Sequence, residues 1–198
     1  MQLLSLLKTE AMRRELIDPD TEIDAARAFT LVRDMPYRRA SDRNPETTIK
    51  EWRGTCSGKH YLLERLFNEL GLVSQIMACT TATPVDPDQI PEALQPLYKA
   101  ANRHFVDVHN YLLVTLPESR QMIVDATWPL SARKHGITVN QEFILGQDQQ
   151  IAAEALETWR IPEGRDPQDF KNEILRTYFT PAELEFREEV IQAMEKIT

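Results

Sequence analysis

The chain has 198 residues, with 23 Lys and Arg against 31 Asp and Glu, for a formal net charge of −8. That length suits a single domain with a buried core, and a content of 42% hydrophobic, 8% aromatic and 27% charged residues excludes collagenous, disordered and disulfide-scaffold classes. The acidic balance opposes the phosphate neutralisation that nucleic-acid binding requires and disfavours docking on anionic lipid, which directs attention to small-molecule or protein substrates.

The opening segment has an apolar cluster interrupted by Lys8, Glu10, Arg13 and Arg14, and no small-residue cleavage site follows, so it reads as neither signal peptide nor membrane span. No other stretch approaches the roughly 20 apolar residues of a spanning helix, so the expected compartment is the cytoplasm. Leu3, Leu4 and Leu7, then Ile23, Ala26, Phe29 and Val32, recur at helical spacing and predict two helices separated at Pro19, the second capped by Asp20 or Thr21. Residues 37–46 are polar and form a loop ending near Pro45. Leu62, Leu63, Leu66, Phe67 and Leu70 predict a helix over residues 56–70, closed by Gly71. A strand is expected over residues 73–81, followed by a loop and a short helix, because Pro84, Pro87, Pro91 and Pro96 exclude a central strand. Two β-prone runs, 105–116 and 121–127, flank a turn at 117–120 and predict an antiparallel hairpin. The last seventy residues are mixed and charged. There Thr180-Pro181-Ala182-Glu183 predicts a final helix with a capping box and Phe186, Val190, Met194 and Ile197 on its inward face. The order is helices, a cysteine-bearing helix, an antiparallel sheet and helices again: an α+β layout, read as one domain over residues 1–198 with a core at about 23–130 and a C-terminal helical extension at 131–198.

Cys56 lies in Trp52-Arg53-Gly54-Thr55-Cys56-Ser57-Gly58-Lys59-His60, where Gly54 and Thr55 suit a tight approach to the helix and put the cysteine at its N-terminal end. Unpaired N–H groups of a first helical turn and the positive end of the dipole stabilise a thiolate, the nucleophilic form. The N–H of Cys56 is a natural donor to a tetrahedral oxyanion. The alternative is a cysteine that serves as a small buried hydrophobe. His109 stands on the first strand of the hairpin and Asp125 ends the second, within a residue or two of opposite each other. A carboxylate holding one imidazole nitrogen leaves the other to accept a thiol proton. A satisfied strand histidine beside a turn aspartate accounts for the same residues.

His60, four residues after Cys56, shares its helix face and is a competing base, although the dipole there disfavours an imidazolium. Five steps from His109, His104 faces the other side of a regular strand, His135 reads as a surface-loop residue, and Cys79 reads as core. Two cysteines without CxxC or CxxH spacing predict thiols and no zinc site. Trp52 and Trp128 are read as core with a possible place along a cleft wall, the proline-rich segment as a lid or plain connector, and Arg38, Arg39 and Arg43 as a solvated loop or a carboxylate attractor.

The run Gly54-Thr55-Cys56-Ser57-Gly58-Lys59-His60-Tyr61-Leu62-Leu63, continued by Glu69-Leu70-Gly71-Leu72, resembles the cysteine motif of the transglutaminase-like superfamily. His109-Asn110-Tyr111-Leu112-Leu113-Val114 is similar to the family's strand histidine block, and Asp125-Ala126-Thr127-Trp128 to its Asp-x-Thr segment. The blocks occur in order, His109 and Asp125 lie 16 residues apart, and the likeness extends over about residues 23–128. The resemblance implies a papain-like core with a Cys56, His109 and Asp125 triad working through a thioester as an amide or ester hydrolase or an acyl transferase. The substrate would be a peptide, a protein side chain or a small amide, with no cofactor. Nothing is similar to the calcium-binding additions of the large animal transglutaminases, so no metal is implied. Asn110 and Tyr111 depart from the small-then-Trp pair frequent after the family histidine, and Ala126 stands where proline is common. A non-catalytic binding or assembly module on this fold, and an arylamine N-acetyltransferase-like enzyme, are the alternatives.

Overall fold

Helix boundaries follow local chemistry in the computed structural model, which describes residues 2–197, the side chains of Glu118 and Ile197 excepted. Helix α1 spans Leu3–Arg13 and α2 spans Ala25–Asp34. The cap of α2 is Asp24, whose carboxylate accepts from the N–H of Arg27 at 2.7 Å; the expected Asp20 or Thr21 lies too early, with the Thr21 N–H already closing a turn onto the Asp18 carbonyl. Asn44 caps α3, Pro45–Glu51, with Pro45 in its first turn. Helix α4 is Cys56–Glu69, and Gly71 follows it at φ +80°, the left-handed geometry that ends helices.

The chain is α+β, with seven α-helices among the described residues and a four-stranded antiparallel sheet in the order β3-β2-β1-β4. The strands are β1, Ser74–Pro84; β2, His104–Thr115; β3, Gln121–Val124; and β4, Thr158–Arg160. Between β1 and β2 lie two short 3-10 turns, Pro87–Gln89 and Glu92–Leu94, and α5, Gln95–Ala100, in keeping with the proline density. β3 pairs with β2 in the register Leu112 with Val124, and it stops three residues earlier than expected. The backbone leaves the ladder because the Asp125 N–H is bound by Gln149 Oε1 at 2.8 Å and the Asp125 carbonyl by Asn140 Nδ2 at 2.9 Å. β4 and helix α6, Pro167–Tyr178, were not anticipated; α7 is Pro181–Ile197.

Two compact units divide the chain. The first runs to Ile76 and resumes at Tyr111–Ala152. Its α4 packs on α2 and α3, burying Phe29, Val32, Ile49, Leu62, Leu66 and Phe67, with the Phe143 ring tilted against Phe67 at 5.2 Å between ring centroids. Burying such a face drives its assembly. The second comprises Met77–Asn110 and Ala153–Ile197. There α5 meets α7 through a cluster of Tyr98, Ala101 and Phe186, on which Ile90, Leu97 and Val190 also pack. The expected capping box starts α7: the Thr180 N–H donates to Glu183 Oε2 at 2.8 Å, and the Glu183 N–H returns to Thr180 Oγ1 at 3.3 Å. The side chain of Ile197, expected on the inward face, lies outside the described residues. Among the described residues no helix is long and apolar enough to cross a membrane.

Candidate functional site

Cys56 is the first residue of α4, buried with 2% of its surface exposed. Thr55 occupies the cap position in an extended conformation without a side-chain capping bond, so its hydroxyl does not consume the first-turn N–H donors. Gly54 is tightly packed: a Cβ there would lie 3.1 Å from Lys59 Cγ, 3.2 Å from Lys59 N and 3.3 Å from Thr48 Cγ2. The missing side chain lets the backbone press against the helix start, as the sequence suggested.

Asp125 belongs to the same unit, directly after β3, and is 2% exposed. Its Oδ1 accepts from the Thr127 N–H at 2.9 Å and its Oδ2 from the Ala152 N–H at 2.8 Å, so both carboxylate oxygens are oriented by backbone donors. His60 sits between Cys56 and this segment. Its Nδ1 lies 2.7 Å from the Cys56 carbonyl oxygen, and its Nε2 is 2.9 Å from the Ala126 N–H and 3.7 Å from Asp125 Oδ1. A carbonyl only accepts and a backbone N–H only donates, which assigns the neutral tautomer with its proton on Nδ1. With Nε2 accepting from Ala126, the ring is spent on main-chain bonds. The competing role of His60 as the base for Cys56 is disfavoured by this geometry.

Sequence reasoning passed over Lys59. It is fully buried, and its Nζ donates to the Arg33 carbonyl at 2.8 Å and the Thr127 carbonyl at 3.0 Å. Burial pushes its ammonium down to about 7, against the pull of Asp34, Asp125 and Cys56 toward the charged form. Arg33 is buried as well, forked onto Asp34 at 2.9 and 2.6 Å and bonded to the carbonyls of Asn140 and Gln141. A signal existed: Arg33 stands four residues after Phe29, on the apolar stripe of α2.

His109 is placed in the second unit, on β2, and is buried. Two residues before it on the same strand, Asp107 is also buried, and its Oδ1 accepts from Arg187 Nη2 at 2.7 Å and Nε at 2.8 Å, with Lys171 Nζ at 3.6 Å. Burial pushes the Asp107 carboxyl up, but the charges of Lys171 and Arg187, with a smaller contribution from His109, outweigh it and hold the group below the usual carboxylate range. This cluster was also missed.

The remaining candidates take structural places. Cys79 is buried in β1 and, like Cys56, forms no disulfide. His104 Nδ1 lies 2.6 Å from the Asn102 carbonyl, and His135 is exposed at the end of a 3-10 turn. Trp52 is buried beneath the Arg14 guanidinium, 5.1 Å from its ring centroid, and Trp128 packs on Tyr37 at 4.3 Å between ring centroids. Arg39 and Arg43 line a crevice of about 30 Å³ beside Gly54, Thr55 and Gly58, whereas Arg38 is exposed. A larger cleft of about 420 Å³ is lined by residues of the 138–150 segment, including the Asn140 and Gln149 that hold the Asp125 backbone. Among the described residues no group of three or more His, Cys, Asp and Glu side chains is arranged to hold a metal ion. In comparison with known proteins, the chain matches no family model, no curated protein and no solved structure.

Proposed function

We propose that the chain is a transglutaminase-like thiol enzyme of the cytoplasm in which Cys56 attacks an amide or ester carbonyl, His109 carries the proton and Asp125 orients His109. The observation that carries this reading is the tie between the first turn of α4 and residues 125–127. Lys59 binds the Thr127 carbonyl, and His60 joins the Cys56 carbonyl to the Ala126 N–H. A nucleophile and its supporting acid must be held to within about 0.5 Å of a working geometry, and cross-ties of this kind supply that rigidity.

In the proposed cycle the Cys56 S–H proton passes to His109 as sulfur bonds to the carbonyl carbon. The oxyanion is received by the Cys56 N–H, and collapse expels the amine or alcohol with the proton from His109, leaving a thioester. Water or an amine then gives up a proton to His109 as it bonds to the thioester carbon; collapse breaks the C–S bond, releases the acid or the new amide, and the proton returns from His109 to the Cys56 sulfur. Each step balances with these groups alone.

p-Nitrophenyl acetate as acyl donor and iodoacetamide as thiol probe test the reading. Wild type is expected to release a burst of p-nitrophenolate and to alkylate at Cys56 below the roughly 8.5 of an ordinary thiol, while C56A loses both signals. Undiminished turnover in C56A overturns the assignment. The small exposure of Cys56 favours a second reading, a non-catalytic binding module, which predicts no burst and a thiol that stays inert or titrates normally.

A further inference from the structure

The ion cluster around Asp107 is costly to bury and takes no part in the chemistry proposed above. Apolar side chains would hold α6 and α7 on β2 at least as well, so the cluster calls for a reason beyond adhesion. Its geometry supplies one. Both Arg187 donors converge on Oδ1 of Asp107, and the same oxygen accepts from the Val108 N–H at 2.8 Å, on the residue next to His109. The Asp107 carbonyl accepts from Thr81 Oγ1 at 3.3 Å. The main chain at 107–108 is therefore tied to β1 by its carbonyl and to α7 through the carboxylate, with Lys171 of α6 at 3.6 Å as a second cation. Side chains two apart share a strand face, so Asp107 and His109 project to the same side of β2.

We infer that Asp107, Lys171 and Arg187 are positioning residues through which the C-terminal helices fix the placement of His109. The inference rests on the proposed role of His109. The planar Arg187 guanidinium is suited to the task because its Nε and Nη2 form a directional fork, which a lysine ammonium cannot reproduce. The three residues act through the main chain beside His109 and so set where the imidazole stands.

The test compares iodoacetamide labelling of Cys56 near pH 7 and near pH 9.5 in the full chain, with folding checked by circular dichroism. At the higher pH a thiol ionises unaided, so the ratio of the two rates isolates activation by His109 from mere exposure. R187M is expected to lower that ratio on the order of tenfold, since small displacements of a reacting group carry large rate costs. R187K, which keeps the charge without the fork, is expected to fall between it and wild type, and D107N to behave like R187M. If R187M does not fold, R187K carries the test. A folded R187M or R187K with the wild-type ratio, while H109Q lowers it, overturns this inference and leaves the triad reading standing. An H109Q ratio equal to wild type defeats both.

Discussion

Lys59 gives the sharpest physical test of the site. Its ammonium is pushed from 10.5 to about 7 by burial, so between those values the folded chain carries a neutral amine where the unfolded chain carries a proton. A group whose folded value is depressed contributes stability that is present above its unfolded value and lost as pH falls through its folded value. Unfolding free energy should therefore rise with pH across the window from about 7 to 10.5. Integrating proton uptake between about pH 7.5 and 9.5 gives a gain of about 2–3 kcal/mol from this one residue. With a urea slope of about 2 kcal/mol per molar, the midpoint should move up by about 1 M. The assay is urea denaturation at several pH values for the K59M variant and its parent, both in a C56S background so that the thiol does not titrate. Other groups are common to both proteins and cancel in the difference. K59M is expected to lack the rise, whatever its absolute stability after the Arg33 and Thr127 carbonyls lose their donor. Parallel pH dependences for the two proteins would refute the assignment of a buried, neutralised lysine.

Three further outcomes follow from particular contacts. H60L leaves the Cys56 carbonyl and the Ala126 N–H without their imidazole partner, which should cost about 2–4 kcal/mol by urea denaturation; nitrogen NMR of the parent should show His60 protonated on Nδ1 at neutral pH, and a proton on Nε2 would contradict the geometry. G54A places a methyl against the Lys59 backbone and Thr48, so its denaturation midpoint should drop by the equivalent of about 1–3 kcal/mol, an unchanged midpoint meaning that the approach is looser than described. Asp107 has a depressed folded value, so its contribution is present above 3.8, the ordinary carboxyl value, and is lost as pH falls through the folded one. D107N should therefore lose less stability than wild type on acidification below about pH 4, and equal acid losses in the two proteins would remove the cluster's role.

Elements whose signals are local were legible. The stripe from Leu62 to Phe67 marked α4, and Thr180-Pro181 with Glu183 marked the start of α7, because periodicity and capping involve residues within a few positions. Helix α6 carries comparable signals, with Asp166 as its cap and Pro167 and Asp169 in its first turn, but its charged composition hid them. The polar groups that stiffen each unit were not legible. Lys59 is buried because the carbonyls of Arg33 and Thr127 converge on it from distant parts of the chain. Asp107 draws a partner 80 residues away. A lysine between glycine and histidine, or an aspartate between valines, says only that something must neutralise or desolvate it. What does so depends on tertiary packing.

The distribution of buried polar groups bears on the choice between an enzyme and a binding module. A scaffold that only presents a surface gains nothing by burying Lys59, His60, Arg33 and Asp125 around one helical turn, since well-packed apolar residues of similar volume would be as stable or more so. Several of the bonds these side chains make reach main-chain atoms of Cys56, Ala126 and Thr127, which are the atoms whose placement decides where a sulfur and a carboxylate stand. Energy is thus spent on fixing backbone positions at one locus while the outer faces of the same helices follow ordinary amphipathic patterning. Concentrated positional cost of this kind is what catalysis demands of its supporting residues, and it favours the thiol-enzyme reading. The same reasoning makes the Lys59 experiment more than a stability measurement. If that lysine proves charged and solvated, the rigid turn that argues for chemistry at Cys56 loses its principal tie to residues 125–127.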